Sequence, residues 1–240
     1  ARGPQDQTAA LEGLLAVLDL AAAPDEGDDV FVGQSQPQPW GRVYGGQVLA
    51  QSLVAAQRTV DADRPVHSLH GYFLRPGDPN APVVFSVDRD RDGRSFSARR
   101  VAAMQRGEVI WEMACSFHLL EEGPEFVQPP QAGMQEPESC PPLSWSWCPI
   151  LDIRVPPRPD GGFSRAHSVD RVWARANVPV PDAPILHACR HVFASDVGAG
   201  FGDLNVQSIP ESGPSIDHAL WFQQPSRADS CRSTSATDTW

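Results

Sequence analysis

Strict alternation of apolar and other residues gives the clearest signal in this chain. Val109, Trp111, Met113, Cys115, Phe117 and Leu119 occupy successive alternate positions, the pattern of a strand with one buried face. Val83, Phe85 and Val87 repeat it, and Ser95–Met104 predicts the strand between them. Asp92-Gly93 marks a turn, and Arg106-Gly107 can close a tight hairpin. Pro65 leads into His67–Pro76, rich in aromatic and large apolar residues, which reads as another strand. Val30–Val32 suits a short one. Two segments change to helical spacing. Leu11, Leu14, Leu15 and Leu18 mark a helix over Thr8–Leu20, with Thr8 available as its N-cap. Val48, Leu49, Ser52/Leu53 and Ala56 mark a second over Gln47–Val60, entered through Gly45-Gly46 and packed on one side. The first 120 residues thus predict one helix wrapped by an antiparallel sheet of about five strands.

The pattern breaks over Glu121–Pro149, a proline-rich stretch without periodicity that reads as a linker or a surface excursion between two domains. Trp145 and Trp147 within it are expected to cover apolar surface, with stacking on a ligand as the alternative. Val169–Ala176 then suggests a strand. Pro184 opens a helix with Ile185, Cys189, Val192 and Phe193 on one stripe. A glycine-rich break at 198–202 separates it from a strand over Ser215–Phe222. Ser68–Pro76 and Ser215–Pro225 share an order: Ser, an apolar residue, a His, an aromatic strand, then Pro. The order helix, strand, Pro therefore occurs twice, a weak internal duplication. Past Pro225 the residues are rich in Ser, Thr and Asp, so the second unit is expected to lack the last strands its twin uses. The organisation expected is a domain over 1–120, a linker over 121–150 and a domain over 151–240.

Charge and composition narrow the partners. A formal net charge of −11 disfavours nucleic acid and anionic membrane surfaces. No apolar run approaches the ~18 residues of a membrane span, and no basic segment followed by an apolar one suggests a signal peptide. The five cysteines are scattered, as expected of reduced thiols in a cytosolic protein. Cys115 and Cys189 fall in apolar patterns and read as core residues.

Among candidates for chemistry, Asp196 comes first. It continues the stripe of Cys189, Val192 and Phe193, where a carboxylate is costly unless paired or used. If the helix ends by Ser195, Asp196 instead is solvated or caps a turn. Ser215 opens the strand that follows, and a hydroxyl beside a carboxylate can hold a water for attack on an electrophile. Asp217 shares a strand face with Ser215 and competes for that role. Gly45-Gly46 supplies either free amides for an anion at a helix start or a tight turn. His187 and His191 have the four-residue spacing of metal ligands, but no third ligand accompanies them. His67, His70 and His218 read as structural polar residues in strands. No GxSxG elbow surrounds a serine, which disfavours an α/β-hydrolase.

Several longer motifs resemble one family. Tyr44-Gly-Gly-Gln47, His67-Ser-Leu-His70, Tyr72-Phe-Leu-Arg-Pro-Gly77, Arg91-Asp-Gly-Arg-Ser-Phe-Ser-Ala-Arg-Arg100, Ala194-Ser-Asp196 and Ser215-Ile-Asp-His218 with Trp221-Phe222 stand as in the acyl-CoA thioesterase II family. The resemblance covers most of residues 8–229. It implies an α+β double hotdog assembled into a homo-oligomer; this chain's own pattern leads us to expect its second hotdog to be incomplete and its setting to be the cytoplasm. It implies hydrolysis of acyl-CoA to free acid and CoA, without metal or cofactor. In the family an Asp, a Thr or Ser, and a Gln hold the attacking water. Asp196 falls on the Asp and Ser215 on the Thr/Ser. Gln223 and Gln224 lie in the wrong motif for the Gln, and from about Ser230 the sequence departs from the family. The alternative is a non-catalytic acyl-CoA-binding or assembly subunit that has lost the Gln. A hotdog dehydratase is disfavoured, since its Asp/His motif is not apparent.

Overall fold

The computed structural model describes residues 4–36, 41–123, 135–143, 151–154, 173–176, 181–196 and 215–222. Helix α1 (Pro4–Leu18) is followed by strands β1 (Ala21–Ala22) and β2 (Val30–Gly33), then helix α2 (Gly45–Gln57). Strands β3 (Val66–Phe73), β4 (Val83–Asp92), β5 (Phe96–Gln105) and β6 (Glu108–His118) complete the first part. Later come β7 (Pro142–Leu143), β8 (Leu151–Arg154), β9 (Trp173–Ala176), α3 (Pro184–Ser195) and β10 (Asp217–Trp221).

The alternating segments pair as antiparallel neighbours. One seven-stranded sheet runs β1-β2-β4-β5-β6-β3-β10, and a three-stranded sheet runs β7-β8-β9. The β5–β6 hairpin turns on Arg106 (φ 50°) and Gly107 (φ 80°), the left-handed pair that matches strand twist in a two-residue loop. Phe85, Val101, Met113 and Phe117 point inward against α2, nearly all of their surface excluded from water. At about 25 cal/mol per Å² this burial is the main force holding helix to sheet.

Three expectations need correction. Helix α1 begins at Pro4, so Thr8 lies within it rather than capping it; proline suits a first helical turn because its missing N–H has no partner there. Helix α2 is buried along Gly46–Ala56 on every side, not on one stripe. Two glutamines make its pattern look amphipathic, and both are satisfied inside. Gln51 Nε2 donates to Val17 O (2.8 Å) and Gln34 O (2.9 Å), while Gln47 Oε1 accepts from Gln36 N (3.1 Å). Third, the proline-rich stretch contributes to a sheet: a single 3₁₀ turn at Pro137–Ser139 precedes β7, which pairs with β8.

Among the described residues the second half docks onto the first through β10 and α3. Strand β10 adds to the sheet edge beside β3, with His218 opposite Gly71 and Asp217 opposite Tyr72. The two segments that look duplicated in sequence are therefore direct neighbours. Helix α3 packs along α2, with Cys189 Sγ 3.6 Å from Ala50 O. Cys115, Cys140 and Cys189 are free and buried. Among the described residues no helix is long and apolar enough to cross a membrane.

Candidate active site

Two helix ends meet where α2 starts and α3 stops. Helix α3 ends at Ser195, and Asp196 caps it with near-helical backbone (φ −78°, ψ −10°). Its side chain thus stays in phase with the buried stripe and points at α2. There Gly46 N–H donates to Asp196 Oδ2 at 2.9 Å. Amides in the first turn of a helix have no partner within it and lie at its positive end, so a carboxylate is stabilised there.

The glycine pair is explained by proximity, since neither residue has a left-handed backbone. A Cβ on Gly45 would lie 2.6 Å from Asp196 Oδ2 and 2.7 Å from Phe73 Cζ. One on Gly46 would lie 2.5 Å from the Phe193 carbonyl oxygen. Tyr44 completes the contact: its hydroxyl donates to Phe193 O at 2.7 Å, and its ring meets Phe193 edge-on at 4.9 Å.

Strand β10 brings the hydroxyl. Phe73 N–H donates to Ile216 O (2.8 Å) just before the ladder begins, which sets Ser215 beside the helix end. Ser215 Oγ is 3.5 Å from Asp196 Oδ1. Asp217 does not compete with it. Its side chain faces outward, where its carboxylate stands 3.5 Å from His70 Nε2. Strand alternation does not relate the two, because Ser215 precedes the first ladder residue.

Dehydration at this junction pushes the Asp196 carboxyl up to about 7, against the opposing pull of Gly46 N–H, Ser215 and the Arg42 charge. A carboxylate with a pKa near neutrality is matched to removing a proton from water, and an adjacent hydroxyl can orient that water.

The remaining candidates lie elsewhere. His187 Nε2 is 3.0 Å from Asp182, whereas His191 lies beside Arg190 and is pushed down to about 4 by burial. Among the described residues no three His, Cys, Asp or Glu side chains are grouped to hold a metal. Burial raises the thiol of Cys115 to about 12 and that of Cys189 as well, which opposes a nucleophilic role for either. His67 is bonded to Ser116 Oγ at 2.9 Å and pairs edge-on with His118. Trp145, Trp147, the 198–202 break, Gln223 and Gln224 lie outside the described residues.

Sequence reasoning missed one contact, a buried bond of 2.8 Å between His218 Nε2 and Ser195 Oγ. The available signal was that each is a polar residue on an otherwise apolar face, His218 alternating with Leu220 and Ser195 following Val192.

Comparison with known proteins agrees with this architecture. A family model described as the acyl-CoA thioesterase N-terminal domain matches residues 36–118. Human acyl-coenzyme A thioesterase 8 is 32% identical over 234 residues, covering 84% of this chain and 72% of that protein. The tesB protein of Mycobacterium avium subspecies paratuberculosis superimposes with a TM-score of 0.74 at 32% identity, over 92% of this chain and 83% of that one. The acyl-CoA thioesterase II TesB2 from Mycobacterium marinum gives 0.69 at 38% identity, over 90% and 81%. The helix-wrapped antiparallel sheet is a hotdog of the α+β class.

Proposed function

This chain belongs to the acyl-CoA thioesterase II family, and on that premise we propose that it hydrolyses acyl-CoA thioesters to free acid and CoA at Asp196 and Ser215. The observation that carries the site is the convergence of a half-buried carboxylate, a helix-start amide and a hydroxyl from three separate segments.

In this reading Gly46 N–H holds Oδ2, which leaves Oδ1 beside Ser215 to receive a proton. A water between Oδ1 and Ser215 Oγ loses that proton to Asp196 as its oxygen bonds to the thioester carbonyl carbon. The tetrahedral intermediate collapses by breaking the C–S bond. The proton on Asp196 then passes to the departing CoA sulfur, so the enzyme returns to its starting state without an acyl-enzyme. Covalent catalysis through a cysteine would need a thiolate, and the raised thiols of Cys115 and Cys189 oppose that.

The same reading assigns acyl-CoA as the partner and fatty-acid metabolism in the cytoplasm as the setting. It also assigns a homo-oligomer of double-hotdog chains. Exposed Tyr72, Ile216 and Trp221 around the β3–β10 junction support an assembly face. Release of free thiol from a mid-length acyl-CoA tests the function. Turnover abolished by Asp196→Asn supports an enzyme acting through this site. Binding of acyl-CoA without turnover by the unmodified protein would favour a non-catalytic subunit.

A further inference from the structure

We propose that His218 is a positioning residue for hydrolysis, holding the last turn of α3 against β10 so that Asp196 and Ser215 address the same point. This rests on the assignment of the reaction to those two residues. Among the described residues, two polar links join the C-terminal end of α3 to β10 and the residues just before it, one residue apart on the helix side and three apart on the strand side. The outer link, Ser215 to Asp196, is 3.5 Å long, at the far limit of a hydrogen bond and too weak to set the register of the two elements. The inner link, His218 to Ser195, is 2.8 Å, and both residues are buried, with 5% and 6% of their surface exposed. The shorter, dry contact fixes the geometry and the longer one depends on it.

The protonation pattern is also determined. Ser195 Oγ lies 2.8 Å from Val192 O, to which its hydroxyl donates. Its lone pair is then free to accept, so the two contacts are satisfied together when His218 Nε2 carries the proton. Burial presses the His218 pKa down to about 4, which keeps the ring neutral and the arrangement constant through the neutral range. The titratable groups near the ring are Asp217, which favours its protonation, and His70, which opposes it. They face each other on the outer side of the sheet. His218 does not touch the reacting atoms; it acts on Asp196 through the adjacent Ser195.

The test compares His218→Leu, Ser195→Ala, the double variant and His218→Gln by steady-state thiol release across pH. Gln carries an amide nitrogen close to the place of Nε2. Displacing reacting groups by about 1 Å costs up to about 100-fold. We expect His218→Leu and Ser195→Ala each to lower kcat at least tenfold with KM little changed, and to shift the acid limb of the kcat profile. The double variant should be no slower than the worse single one, because both remove one link. His218→Gln should recover most of the rate. Unchanged kcat and pH profile in Ser195→Ala, the milder of the two changes, would overturn the proposal even if His218→Leu does not fold. So would multiplicative losses in the double variant. Failure of the underlying assignment looks different: Asp196→Asn would then turn over at the unmodified rate.

Discussion

Replacing Asp196 by Asn should make the protein inactive and, above neutral pH, more stable. Burial holds the carboxyl at about 7 in the fold, against 3.8 for the group in its ordinary surroundings. Between those two values the folded chain keeps a proton that the unfolded chain has released. Stability must therefore fall as pH rises through this window and level off above about 7. Each unit of difference corresponds to 1.36 kcal/mol, so carrying the charge costs up to about 4 kcal/mol at pH 8. Partial solvent access at the junction makes about 2 kcal/mol the working figure. Asn keeps the shape, accepts from Gly46 N–H through its oxygen and carries no proton linkage. Its advantage over Asp should be negligible near pH 4 and reach about 2–4 kcal/mol at pH 8. In a chain of this size that is a rise of roughly 4–16 °C in Tm. Thermal unfolding of both proteins at pH 5 and pH 8, alongside thiol release, measures it. Loss of the proposed general base should lower kcat by a factor of at least about 100. A stability gap that does not change with pH would refute a dehydrated, proton-holding Asp196. A variant less stable than the unmodified chain at pH 8 would refute it too.

Ser215→Ala should slow turnover about tenfold, equivalent to ~1.4 kcal/mol, and move the acid limb of the rate profile to higher pH, since Ser215 holds the Asp196 pKa down; an unmoved limb would remove Ser215 from the site. Gly46→Ala places a methyl 2.5 Å from the Phe193 carbonyl, and should lose about 1–3 kcal/mol of stability together with activity. Gly107→Ala, at φ 80° with open space around it, should cost about 1–2 kcal/mol and leave turnover intact. Arg99→Met should cost about 2–4 kcal/mol in denaturant unfolding. It would strip Thr59 Oγ, Thr59 O and Asp92 of their buried donor while leaving the active site in place.

Much of the first half could be read directly because one physical rule governs it. A strand with one wet and one dry face must alternate, so Val109–Leu119 declared β6 and its neighbours without ambiguity. Strands too short to show a period escaped: β1, β7 and β8 have two to four residues each. Helix α2 misled for a different reason, because Gln47 and Gln51 are polar yet buried, and periodicity cannot distinguish water from a backbone carbonyl as their partner. At the site, the phase of the α3 stripe placed Asp196 inward. Ser215 came from its motif, while its distance from Asp196 follows from a pairing between β3 and β10 that neither strand encodes alone. Asp217 was misjudged because alternation was extended one step before the ladder begins.

The amide that grips Asp196 comes from the other half of the polypeptide, and this constrains how such a catalyst can be built. On the proposed assignment, Gly46 belongs to the first half and Asp196 and Ser215 to the second, so neither half alone would carry the whole centre. Chains opened between β6 and β7 should regain thiol release only on mixing, at a rate that follows the reassociation of α2 with α3.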